Sequence, residues 1–220
     1  TWGLFGGPFF YLYDMSFPTY AVSTELDAIN QILSSVGQAP VTTLNLQNPE
    51  VAIAVNTLRE MSRQAQLEGW TFNTERNYKM SPDAVTKKIA YPLNALALDS
   101  NTAKHADDYN LVRRSGFVYC LYHHTDQFSE DLYLDVLWEF TFSDLPPAFQ
   151  AYVTAKAARM AATKMVGDPQ LTELLAQQEA TTRATLIEQE CQQGDYSIFG
   201  HPDQHNTYTS FQPYRALSRQ

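Results

Sequence analysis

The sequence predicts an α+β protein: a bundle of about four helices, a small antiparallel β domain inserted between the second and third, and extended N- and C-terminal arms. Three observations lead there. Apolar residues recur at helical spacing over residues 23–69 and again over 144–194. Between them, residues 70–143 alternate aromatic and β-branched side chains with polar ones, in short runs broken by turn signals. The ends, 1–22 and 195–220, are rich in aromatics and carry no helical stripe.

The N-terminal arm, 1–22, holds eight aromatic residues, interrupted by Gly3, Gly6, Gly7, Pro8 and Pro18. Each ring left in water forgoes roughly 1.5–3 kcal/mol of burial, so the arm is expected to dock on its own domain or on a neighbouring subunit. Phe9, Phe10 and Tyr11 are its candidate interface residues, and Met15 is a candidate translation start. The first helix follows, with Ser23 or Thr24 as its cap, a stripe of Leu26, Ile29, Ile32, Leu33 and Val36, and Gly37 as its stop. The second opens at Asn48–Pro49, a cap followed by proline at the first helical position. It carries Val51, Ala54, Val55, Leu58, Met61 and Ala65 inward and ends at Gly69. One greasy face each and a short connection predict an antiparallel pair.

Strands are expected over 70–80, 88–98, 109–114, 117–123 and 132–141. Pro92 restricts the second of these to an edge or a loop. Helices return after Asp144–Leu145–Pro146–Pro147, and residues 148–165 are rich in alanines at a spacing that admits close approach of another helix. Gly167–Asp168–Pro169 then starts a last helix reaching about Gly194, roughly 39 Å long. Its stripe of Leu171, Leu174, Leu175, Leu186 and Ile187 is thin in the middle, and it carries several glutamates against a single Arg183. Such a helix is only partly covered by its own fold. In the C-terminal arm, Tyr208, Phe211 and Tyr214 recur every third residue, as candidate contacts of an extended segment lying on a partner.

Composition narrows the function. Fifteen basic against twenty-four acidic residues give a net charge of −9, which disfavours a static nucleic-acid clamp. Cys120 and Cys191 lie too far apart in sequence to suggest a zinc pair, and two cysteines make no disulfide scaffold, which fits assembly in a reducing compartment. No apolar run is long enough for a membrane span. His123, His124, Asp126, Glu130 and Asp131 have metal-ligand chemistry, but adjacent histidines on a strand face opposite ways, and a solvated loop is the better reading. Asp135 and Glu139 share a strand face as a glycosidase pair would, and as any wet strand face would. Phosphate-loop, dinucleotide, serine-hydrolase and zincin motifs are all missing. The expectation is therefore no enzyme, with no catalytic, metal or cofactor-binding residue and no cofactor.

Several segments together resemble one family. Leu26–Val41 resembles its opening helix and turn, Gly69–Glu75 (GWTFNTE) its GWxFNxE signature, and Arg114–Tyr119 a later RGGxxYD block. Trp138, Phe142, Asp144–Leu145–Pro146, Ala157–Ala158–Arg159 and Gly167–Asp168 follow in the family's order. The family is that of tail tubular protein A, the head-to-tail adaptor of short-tailed (podovirus) phages. Ser115 stands where it has a glycine, and Cys120 where an Asp is expected. The resemblance implies a homo-oligomeric, dodecameric ring in the virion tail, joining the portal protein to the tail nozzle (tail tubular protein B). That ring would be a platform for tail fibres and a conduit that double-stranded DNA traverses without specific binding. An acidic wall would repel phosphates, which makes Glu173, Glu179, Glu188 and Glu190 of the last helix candidate channel-lining residues, with a plain solvated outer face the equal alternative. Two other classes stay open: a tail-associated glycan hydrolase using Glu130, Asp131, Asp135 or Glu139, and a monomeric peptide-binding scaffold module.

Overall fold

The computed structural model describes residues 24–100 and 109–194. Four helices, α1 (Glu25–Ser35), α2 (Pro49–Gln66), α3 (Pro147–Met165) and α4 (Pro169–Gly194), enclose one hydrophobic cluster. Among the described residues, five strands lie between α2 and α3 in the chain: β1 (Thr74–Met80), β2 (Ala95–Ser100), β3 (Leu111–Arg114), β4 (Phe117–Cys120) and β5 (Leu132–Trp138). They form an antiparallel three-stranded sheet in the order β1-β5-β2 and a β3-β4 hairpin, and share a second cluster built on Met80, Ile89, Val118, Cys120, Leu134 and Val136. The α+β class and its order of elements are as the sequence predicts.

Local chemistry sets the ends of α1 and α2. Thr24 caps α1 in a reciprocal box: its Oγ1 accepts from the Asp27 N–H at 3.2 Å, and the Asp27 carboxylate accepts from the Thr24 N–H at 3.0 Å. At the other end Gly37, at φ +79°, lets the Gln38 N–H return to the Leu33 carbonyl and its own N–H to Ser34, a Schellman stop. The Asn30 amide then holds the following turn by bonding both the N–H and the C=O of Val41, at 2.8 and 2.9 Å. Asn48 caps α2 through the Glu50 N–H.

α3 is the central helix, touching α1, α2 and α4, and it is buried almost all round from Phe149 to Ala158. The alanines permit that crowding.

The strands are shorter than the sequence reading. The stretch Trp70–Asn73 is a turn, with the Asn73 and Thr74 N–H groups both returning to the Trp70 carbonyl, so β1 starts at Thr74. β2 begins only after Pro92, which has no N–H for a ladder, and runs along a sheet edge. β4 stops at Cys120 because the chain turns back, pairing Cys120 with Thr125 and putting His124 at φ +51°. In the stripe expected for α4, Leu175 and Leu186 are buried and Leu171 is half-buried, but Leu174 is 64% and Ile187 44% exposed. The inward line instead runs Leu171, Leu175, Glu179, Thr182, Leu186, Glu190, every third or fourth residue. Polar groups fill its thin middle.

Candidate functional site

The densest side-chain chemistry lies where the helical bundle meets the sheet, and it is built from the GWTFNTE segment. Gly69 ends the run out of α2 at φ +77°, a left-handed conformation that costs glycine little. Trp70 then turns into the bundle, its ring edge-on to Phe149 at 5.6 Å and its Nε1–H donating to the Ala65 carbonyl at 2.8 Å. Phe72 lies against both Phe149 (4.9 Å) and Phe140 (6.4 Å), so one ring touches α3 and the chain leaving β5.

Asn73 is wholly buried. Its Oδ1 accepts from the Trp70 N–H at 2.8 Å, and its Nδ2 donates to the carbonyls of Gln66 (2.9 Å) and Trp138 (3.2 Å). A single amide thereby joins the end of α2, the signature turn and the end of β5. Beside it Gln66, also buried, accepts from the Phe140 N–H at 2.8 Å and donates to the Phe140 carbonyl and to Ser62 Oγ, each at 3.1 Å. Gln66 so pairs with Phe140 as a neighbouring strand would. Glu75 closes the far side, accepting from Trp138 Nε1–H at 2.9 Å, with Tyr78 edge-on to the same indole. Each of these buried polar atoms would cost about 1–3 kcal/mol if left unpaired, so the joint is stiff in register.

α4 reaches the same joint. Glu190 accepts from the Thr71 N–H at 2.6 Å and from its hydroxyl, Arg159 donates to Glu179, and Arg183 donates to Glu68 and to the Tyr152 hydroxyl, both at 2.9 Å. Lys156, mostly buried, approaches the same Glu68 at 3.7 Å. Of the four glutamates expected to face a channel, Glu179 and Glu190 are thus half-buried and bonded within the chain, while Glu173 and Glu188 are exposed on the outward side. The arm residues Phe9, Phe10, Tyr11, Tyr208, Phe211 and Tyr214 lie outside the described residues.

The other clusters offer less. His123 and His124 are exposed, and His123 lies against the Tyr109 and Tyr122 rings. Among the described residues no three His, Cys, Asp or Glu side chains gather as a metal site. Asp126 binds Lys88 at 2.6 Å and Asp131 binds Lys79 at 2.8 Å, and those lysine hydrogen bonds hold both carboxyls below the usual carboxylate range. A general acid needs the opposite shift. Glu130 is exposed, Glu139 is drawn to Arg63 at 3.7 Å, and Asp135 accepts from the Asn77 N–H at 3.0 Å, so the strand-face pair is engaged on separate partners. No described helix is long and apolar enough to cross a membrane.

The sequence reading missed Gln66, Glu68, Asn30 and the bridge that Arg183 makes from α4 to Glu68 and Tyr152. Gln66 had a signal: a long amide one turn after Ser62, on the inner face of α2 and just ahead of the signature. Arg183 had another, as the lone cation of a helix rich in glutamate.

Comparison with known proteins adds two findings. The family model described as tail tubular protein matches residues 26–196, which takes in the bundle, the sheets and the joint. The Tail tubular protein A of Klebsiella phage KP34 is 31% identical over 124 residues, covering 56% of this chain and 62% of that relative's length.

Proposed function

For a chain that belongs to the tail tubular protein family of bacteriophages, we propose the role of a structural adaptor in the virion tail. In this reading copies of the chain close into a dodecameric ring between the portal protein and the tail nozzle, tail tubular protein B. The helical bundle forms the ring body, and the sheets project as a platform toward nozzle and fibre. Double-stranded DNA passes through the ring without being held. The observation that carries the proposal is the bundle–sheet joint. An adaptor has to pass position and load between two partners, and here Asn73, Gln66 and Trp70 tie the two parts together through buried hydrogen bonds.

α4 fits the same role. Its inward glutamates are held within the chain, Glu179 by the Arg159 guanidinium and Glu190 by hydrogen bonds from Thr71, whereas Glu173 and Glu188 are exposed to solvent. A wall of that sign would keep phosphates moving.

Disrupting the gene for this chain in its phage tests the adaptor directly. Particles should then be portal-bearing heads that lack nozzle and fibres. Tails of normal composition on such particles would contradict the proposal.

A further inference from the structure

A cleft of about 540 Å³ opens between the bundle and the sheet, on the α1–α2 side of the joint. Leu58 and the half-buried Phe140 and Phe142 form its apolar lining, with Glu25, Arg59 and Leu93 at its rim. Leu93 is 90% exposed, an apolar side chain standing in water beside an apolar hollow. The described chain begins at Thr24, next to Glu25 on that rim. Upstream of it lies a segment with Phe17, Pro18 and Tyr20 and no charged side chain between Met15 and Ser23.

We propose that residues 17–20 of the same chain occupy this cleft, with Tyr20 or Phe17 covering Leu93. Reach permits it: at about 3.3 Å per residue, Tyr20 lies within roughly 13 Å of Thr24 and Phe17 within roughly 23 Å. Charge permits it as well. Arg59 already bonds Glu25 at 3.2 Å and Arg63 bonds Glu139 at 3.7 Å, so an uncharged segment enters without stranding an ion. The 63%-exposed Arg59 side chain offers its guanidinium plane to the tyrosine ring. The C-terminal arm is the poorer occupant, because no α4 residue lines the cleft and its first candidate contact, Tyr208, comes fourteen residues after Gly194. The seating concerns the single chain and holds whatever ring it joins.

The test uses the full chain with Cys191→Ser; Cys120 is buried and stays. Paired Tyr20→Cys and Leu93→Cys substitutions should give a disulfide within one chain in most molecules under mild oxidation. Tyr208→Cys with Leu93→Cys should give little. In the unmodified chain, amides of residues 17–20 should exchange at least tenfold more slowly than in a free peptide, and Leu93→Asp should abolish that protection while lowering Tm by only a few degrees, the folded core remaining intact. Free-peptide exchange in the parent, unchanged protection in Leu93→Asp, or a disulfide formed between chains or with residue 208 would overturn the proposal.

Discussion

Asn73 has no exposed surface, and its amide satisfies one N–H and two carbonyls from three different stretches of chain. Asn73→Ala strands all three, and the expected loss is about 3 kcal/mol, read as a fall in chemical denaturation midpoint. A loss under about 1 kcal/mol would mean that water replaces the amide. Ser115 sits at φ +52° in the tight turn between β3 and β4, a conformation that strains any residue with a Cβ. Ser115→Gly should therefore stabilise the chain by about 0.5–1 kcal/mol, raising Tm. That position was visible in sequence as a departure from a glycine pattern. Asn73 was visible only as a letter in a motif, because a side chain's three partners, seven and sixty-five residues away among them, leave no local trace.

At the scale of elements, helix ends were the most legible feature, since a cap at Ser23 or Thr24, an Asn48–Pro49 start and glycines at 37 and 69 act within a few residues; the structure chooses Thr24 through its box with Asp27. Strand ends were less so, because the texture of residues 70–73 is that of a strand while their hydrogen bonds are those of a turn. α4 was legible in length but not in facing. Five apolar residues suggested one stripe, yet its middle is filled by Glu179 and Thr182, which apolar periodicity does not register. The two assignments separate cleanly by mutation. Leu186→Ala should cost about 2–4 kcal/mol, as a buried core truncation. Leu174→Glu and Ile187→Glu should each change stability of the free chain by less than about 0.5 kcal/mol, as surface substitutions do. The lysine-paired carboxylates of the β region give an acid-sensitive term. Asp126 and Asp131 titrate below their ordinary value of 3.8, so their contribution is present above about pH 4 and is lost as pH falls through the lowered values. Lys88→Met and Lys79→Met together should flatten that acid limb in a pH series of melting temperatures.

At the scale of the whole molecule, the family and the interface are legible to different degrees. Its family was legible from motifs in order along the chain, and its joint was foreshadowed by the signature, whereas no periodic mark in the sequence singles out a face for a second copy. Leu46, Ile53, Leu67, Val166, Leu174 and Ile187 are each more than a third exposed on or beside the helices, a pattern suited to a subunit that finishes its burial against neighbours. The most direct measurement is the native mass of the purified chain at micromolar concentration, with and without portal protein. The adaptor account predicts a dodecamer, free or seated on the portal. A chain that stays monomeric and indifferent to portal would contradict it.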